Sequence, residues 1–541
     1  MPFWWKSFNK DKEQTKPQSN SGEAKEIDRT KLSSSLQANL EEIRKTTGHS
    51  TDILIREITF GQPESTRAAV IFTDGLVNKE IINEGIISTL FHGSEFVPSG
   101  SRNDLLKRMA HNILSVSNVE IVNDWDETYH YLLSGEAVVL IEGANEALIV
   151  SSRGGEKRAI TEPETELAVR GPREGFTEIL RTNTALIRRR IKNPNLWVET
   201  MTIGKVTQTD VALMYVKGIA RDEILEEIRS RLKKIEIDSI LESGYIEQLI
   251  EDKTFTTFPT LFHTERPDVA TAEILEGKIA ILVDGTPFVL IAPSVFIQFF
   301  QSTDDYYSRF DIATALRFLR VLVFFISLVG PAVYIAATTF HQEMIPTLLV
   351  ITITAQREAV PFPAFVEATI MEVTFEILRE AGLRLPRVIG QAVSIVGALV
   401  IGQAAVQAGL VSPAMVIVVS LTAIASFATP AFAIAISARI IRFIFMVMAA
   451  TFGFYGIMIG MLIMIIHLCS LRSFGVPYMS PLAPLIPKNI GDTFFRLPLW
   501  AMKYRPEYIS SSNQKRQGSN QGPELPAESV NSSKKGGGNN G

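Results

Sequence analysis

Three glutamates, Glu372, Glu376 and Glu380, stand four residues apart, and Glu367 lies just upstream of them. On a helix the three share one face, with Thr369 above them and Met371, Phe375 and Leu378 across from them. Like charges at that spacing repel unless water or cations lie between them. Two arrangements relieve the repulsion. Either the helix lies at a membrane interface with its carboxylates in water, or several copies around an axis present a ring of carboxylates that favours cations. Glu367 stands apart from the stripe and needs a cavity, a partner or the interface, because an ionised carboxylate at the bilayer centre costs about 2.5–3.5 kcal/mol. Arg357-Glu358 precedes it, and Pro361 and Pro363 break any helix between them. Arg357, Glu358, Pro361, Pro363, Glu367, Glu372 and Glu376 are therefore the candidate pore or gating residues.

No catalytic chemistry accompanies them. Gly-x-Ser-x-Gly, the Walker phosphate loop and His-Glu-x-x-His are absent, and the seven histidines stand at no ligand spacing. Cys469 is the only cysteine, so neither an intrachain disulfide nor a cysteine zinc cluster forms. The sequence predicts no enzyme, no cofactor and no metal. A net charge of -5 and a pI near 6.0 give no reason to expect nucleic acid.

The elements that must position the glutamates are apolar. Between Val388 and Ala438 no side chain is charged, and about 20 apolar residues cross a hydrocarbon core. The pattern predicts four spans, at about 318–339, 388–410, 413–437 and 443–471, with a broken or re-entrant segment at 341–387 between the first two. Irregular backbone at membrane depth is tolerated only where protein or a water-filled cavity surrounds it. Four spans leave both ends on the cytoplasmic side, and Arg317 and Arg320 at the edge of the first suit the headgroup layer. Gly390, Ser394, Ala398 and Gly402, and later Gly456 and Gly460, recur every four residues and are candidate helix-packing positions, within one subunit or between copies.

The 541 residues are 46% hydrophobic and 21% charged, with mean hydropathy +0.16, and the charges concentrate before Arg320. A water-soluble N-terminal region therefore precedes an all-α polytopic membrane domain. Residues 1–47 read as a disordered tail and a helix, 48–160 and 161–302 as two soluble α/β subdomains, and 303–471 as the transmembrane domain. Residues 472–509 form a membrane-proximal segment, and 510–541 a disordered tail. Arg188, Arg189 and Arg190 close a helix that begins near Phe176. They suit a solvated helix end, or contact with a partner's acidic face or anionic lipid.

Several blocks resemble the A subunit of the GerA-type nutrient germinant receptors of bacterial endospores. They are Arg170-Gly-Pro-Arg-Glu-Gly-Phe-Thr-Glu178, Arg181-Thr-Asn183, Leu186-Ile-Arg-Arg-Arg190, Asp304-Asp-Tyr-Tyr307, Thr339-Phe-His-Gln-Glu-Met-Ile-Pro346, Arg357-Glu-Ala-Val-Pro-Phe-Pro363, Phe375-Glu-Ile-Leu-Arg-Glu-Ala-Gly382 and residues 393–412. The resemblance covers about Thr51 to Pro506. It implies a protein of the inner spore membrane, with its N-terminal domain cytoplasmic. It also implies a transporter-like B subunit and a lipoprotein C subunit as partners, nutrient sensing by the complex, and cation release with a homo-oligomer of this chain as the conducting element. Two alternatives stay open: a scaffold whose partner does the transport, and a receptor-independent paralogue that amplifies ion release.

Overall fold

The computed structural model describes residues 31–60, 66–92, 102–110, 118–154, 162–163, 166, 168–385, 401–510, 513–518 and 521–523. In the N-terminal part, α1 (Leu36–Thr46) starts at Ser35, whose hydroxyl accepts from the Ala38 amide. Strands β1 (Ile53–Phe60) and β2 (Thr66–Thr73) follow, then a π-helical turn (Ile81–Ser88) running into α2 (Thr89–His92), α3 (Arg102–Arg108), β3 (Val119–Val122), α4 (Trp125–Leu132), β4 (Ala137–Ile141) and β5 (Ala147–Val150). The strands form one antiparallel sheet in the order β1-β2-β4-β5-β3. Leu36, Leu40 and Ile43 of α1 pack with α4 on one face, over Ala69, Ile71, Val138 and Leu140. Thus α1, read from sequence as part of the leading segment, completes the first subdomain, because its apolar stripe has this sheet face to cover.

The second unit comprises α5 (Leu180–Arg190), β6 (Leu196–Ile203), β7 (Thr209–Val216), α6 (Asp222–Lys233), α7 (Ser243–Ile250), β8 (Phe262–Thr264), α8 (Pro267–Leu275), β9 (Ile279–Val283) and β10 (Val289–Ala292). Its sheet order, β6-β7-β9-β10-β8, repeats the first exactly when five is added to each strand number. Gly135-Glu-Ala-Val-Val-Leu-Ile-Glu-Gly143 and Gly277-Lys-Ile-Ala-Ile-Leu-Val-Asp-Gly285 share one pattern, a charged residue, five apolar ones and an acidic one between two glycines, although Glu136 and Lys278 are opposite in sign. All four bracketing glycines take positive φ, between 87° and 103°, so each strand begins and ends on a turn that a side chain would strain. The N-terminal region is therefore a duplicated antiparallel unit.

Helix α9 (Asp304–Tyr307) leads into the helical part: α10 (Phe310–Thr339), α11 (Thr347–Arg357), α12 (Ala364–Arg384), α13 (401–407), α14 (Pro413–Phe427) and α15 (Phe432–Ser470). By length and apolarity, two of these can cross a membrane, Phe310–Thr339 and Phe432–Ser470. The four expected spans are not reproduced as drawn. The one at 318–339 lies inside α10. Most of 388–410, with Gly390, Ser394 and Ala398, falls outside the described residues. The third does not run to Ser437 but stops at Phe427, because Pro430 disfavours helix at Thr429 and lacks an amide of its own.

The fourth is not one span. Gly453 has φ 60° and ψ -139°, which breaks α15 into two legs. A Cβ on Gly456 would lie 2.0 Å from the Met448 carbonyl oxygen, and one on Gly460 2.9 Å from the Phe445 ring. In a continuous helix residues 8 and 15 apart are about 12 and 22 Å distant, so the chain folds back at Gly453. Both legs return to the same loop of the second unit: Ser437 donates to the Thr257 carbonyl, and Thr256 Oγ1 lies 3.0 Å from His467 Nε2. At the far end of the bundle, His341 packs on the Phe454 ring at 5.0 Å.

After α15 a short ribbon, β11 (Arg472–Ser473) with β12 (Val476–Pro477), and the coil to Ser510 settle back on the second unit. Phe296 donates to the Tyr478 carbonyl, and Arg221 to the carbonyls of Glu507 and Ser510.

Candidate functional site

All four glutamates of α12 meet arginines, and all but Glu380 turn toward the bundle. Glu367, wholly buried, takes Arg357 Nε at 3.2 Å and the Ser412 amide at 2.9 Å, which ties the proline break to the start of α14. Glu372 pairs with Arg442, both side chains 1% exposed. Glu376 takes Arg379 at 3.3 Å and Arg439 at 3.0 Å, and Arg379 also reaches Ser426 Oγ at 2.8 Å and stacks on Phe375 and Phe427. Glu380 pairs with Arg384 in the open. Glu358, Pro361 and Pro363 sit exposed in the turn between α11 and α12.

One of these pairs answers a need that the sequence sets. Pro331 lies inside α10 and has no amide hydrogen, so the carbonyl four residues earlier, on Ser327, loses its helical donor. Arg442 Nε supplies one at 2.6 Å, and Glu372 balances the charge that this brings into the apolar bundle. A proline, an arginine and a glutamate from three helices thus form one unit. Its satisfaction is incomplete: Glu372 Oε1, Arg442 Nη2, Arg379 Nε and Arg439 Nε are buried without a hydrogen-bond partner. Polar groups left unmade in a low-dielectric interior are costly, and their arrangement is poised to change when another partner or water is offered.

A second charged cluster joins the bundle to the duplicated domain. Asp305, fully buried, accepts from Arg317 Nε at 2.9 Å and from Arg320 Nη1 at 2.7 Å. Arg317 Nη1 also donates to Asp492 at 2.9 Å, and Asp492 accepts from the Tyr306 hydroxyl at 2.9 Å. Burial, and then the carboxylate of Asp492, push the Tyr306 phenol well above its ordinary value, so it stays a donor. Arg317 and Arg320 therefore do not lie among headgroups as the sequence suggested. Their carboxylates stand next to them in space, and Asp492 is the only acidic residue between Ser473 and Pro506. That isolation was the available signal for a residue the sequence reading missed.

The arginine run divides. Arg188 is fully buried and grips Asp52 through Nε at 2.9 Å and Nη2 at 3.0 Å, with Nη1 on the Leu196 carbonyl at 2.8 Å. It locks the two units together and reaches neither lipid nor a partner. Arg190 pairs with Glu174, and Arg189 is exposed. Gly456 and Gly460 face the other leg of their own hairpin, and Gly402 lies in ordinary contact with Val416. Among the described residues no group of three His, Cys, Asp or Glu is placed to hold a metal.

The family model described as Bacillus/Clostridium GerA spore germination protein matches residues 41–508. Spore germination protein KA of Bacillus subtilis (strain 168) is 60% identical over 493 residues, covering 91% of this chain and 90% of that protein. The uncharacterized membrane protein YfkQ of the same organism is 44% identical, covering 89% of this chain and 93% of its own. Spore germination protein GerLA of Bacillus cereus is 40% identical, covering 88% and 95%. Among solved structures, the crystal structure of the N-terminal domain of the A subunit of the Bacillus megaterium spore germinant receptor GerK3 matches at 43% identity and a TM-score of 0.40. It covers 50% of this chain and 98% of that one.

Proposed function

Because the chain belongs to the GerA family of Bacillus and Clostridium spore germination proteins, we propose that it is the A subunit of a germinant receptor and helps convert nutrient sensing into the cation release that starts germination. It does so in the inner spore membrane as a multi-pass protein. Its duplicated domain and C-terminal segment lie together on the cytoplasmic side, a transporter-like B subunit and a lipoprotein C subunit are its partners, and copies of it enclose the ion path.

The observation that carries this reading is the set of Arg–Glu pairs buried in an apolar bundle with contacts left unmade. Charges in such a place are expensive and mark ion paths or switching elements. In one chain Glu367 and Glu372 are turned inward on arginines rather than toward a lumen, so they act as the gate that holds the bundle closed. Exposed Glu358, between α11 and the prolines, lies at the mouth of the passage. Helix α11 has no buried residue, with Leu348, Leu349 and Ile351 uncovered, which fits assembly of copies. The same inward pairing favours one rival reading, a scaffold whose partner conducts.

Ion flux into liposomes carrying the assembled receptor separates the two. Glu358→Gln and Glu376→Gln each lower the germinant-triggered cation flux several-fold if this chain conducts. Unchanged flux with Glu358, Glu372 and Glu376 all neutralised leaves the scaffold.

A further inference from the structure

We infer that residues 494–505 are an interfacial anchor, lying in the headgroup layer of an anionic leaflet on the side of the duplicated domain. Phe495, Leu497, Leu499 and Trp500 are 40–58% exposed, a run of large apolar side chains left half uncovered among the described residues. Singly exposed apolar residues need no explanation, but a contiguous set does. Its position names the occupant. Phe318, near the start of α10, stacks edge-on against Phe495 at 5.3 Å and lies parallel to Phe494 at 6.4 Å, while Thr314 Oγ1 accepts from the Arg496 amide at 3.1 Å. The run therefore sits at the level where α10 exposes Phe318, Leu319 and Leu322, the outward face of an apolar helix, and it is continuous with that face.

Charge gives the second half of the argument. Between Asp492 and Glu507 there is no acidic residue, whereas Arg496, Lys503 and Arg505 are basic. Arg496 is buried over the Tyr306 ring and only holds the run in place. Lys503 is exposed and, among the described residues, has no carboxylate paired with it, whereas Arg505 bonds the backbone carbonyls of Leu275, Asn513 and Lys515 and the Asn513 side-chain oxygen and feels the charge of Glu276. Aromatic and aliphatic side chains beside an exposed, unpaired lysine are the composition of a segment that lies in, rather than through, a bilayer surface. Trp500 and Leu499 would enter the acyl boundary, with Lys503 on lipid phosphates.

The inference rests on α10 spanning the bilayer, and the test keeps the two apart. The full chain is placed in vesicles of phosphatidylglycerol and phosphatidylcholine whose acyl chains carry bromine, and tryptophan quenching is compared with Trp500→Phe. A Trp500 contribution that is quenched, and that vanishes in the variant, is the expected result. Leu322→Trp in the Trp500→Phe background reports on α10. Quenching at 322 without quenching at 500 overturns the anchor and points to a protein covering the run, while absence of both overturns the membrane placement as well. Lys503→Gln lowers retention of phosphatidylglycerol over phosphatidylcholine roughly fivefold. Equal displacement by free inorganic phosphate would mean a phosphate site and not a lipid one, and would also overturn the inference.

Discussion

Arg442 carries more of this bundle than any residue singled out by motif, since it repairs the Ser327 carbonyl opened by Pro331 and is itself neutralised by Glu372. Glu372→Gln leaves a buried guanidinium without its counter-charge and lowers stability by about 3–5 kcal/mol, as breaking a buried pair does. Glu372→Met together with Arg442→Met recovers most of it, and thermal unfolding of the four-member cycle in detergent measures the difference. Outside the bundle, burial pushes the Glu166 carboxyl up to about 7, against the bond it accepts from Thr264 at 2.5 Å. A raised carboxyl contributes stability that is complete below its unfolded value near 4.5 and is lost as pH rises through 7. Unfolding temperature should therefore fall between pH 5 and 8, and Glu166→Gln should flatten that slope. The spacing of Glu372, Glu376 and Glu380 was legible in the sequence. Their partners were not, because Arg439 and Arg442 lie some 60 to 70 positions away and only the folded bundle brings them close.

At the scale of elements, the duplicated sheets and the hairpin in α15 decide the architecture. Hydropathy alone sees 443–471 as one apolar run, since the turn within it is made without a polar loop by a single glycine at positive φ. Gly453→Ala places a side chain in a region essentially reserved for glycine and within 2.7 Å of the His341 ring. We expect a loss of at least about 1–3 kcal/mol, read as a lower unfolding temperature, whereas the same change in a regular helix would stabilise by about 1 kcal/mol. The Asp284-Gly285 turn is used twice over: it joins β9 to β10, and Asp284 caps α5 by accepting from the Leu180 amide at 3.0 Å. The repeat of Gly135–Gly143 in Gly277–Gly285 was open to inspection, but nine residues of similar type are too few to announce a duplication until two sheets show the same strand order.

Taken whole, the chain leaves the duplicated domain through α10 and comes back to it after α15, so the membrane placement proposed above requires an even number of passes between the two attachments. With Cys469 replaced by Ser, an impermeant maleimide should label Glu226→Cys and Lys503→Cys from one side of a sealed vesicle and Leu348→Cys, on α11, from the other. Labelling of Lys503→Cys and Glu226→Cys from opposite sides would refute this arrangement. The sequence by itself determined the class of the protein: an uncharged stretch from Val388 to Ala438 can rest only in a membrane or a dry core, and the charges before Arg320 require water. It also determined which carboxylates would be out of place, since composition and period are local properties. Only the tertiary structure decided that these carboxylates face arginines, that Arg188 and Arg317 are internal locks, and that the last apolar run doubles back. An ion pair is defined by proximity between distant parts of the chain, and a bend by one residue's dihedral angles, neither of which a hydropathy pattern contains.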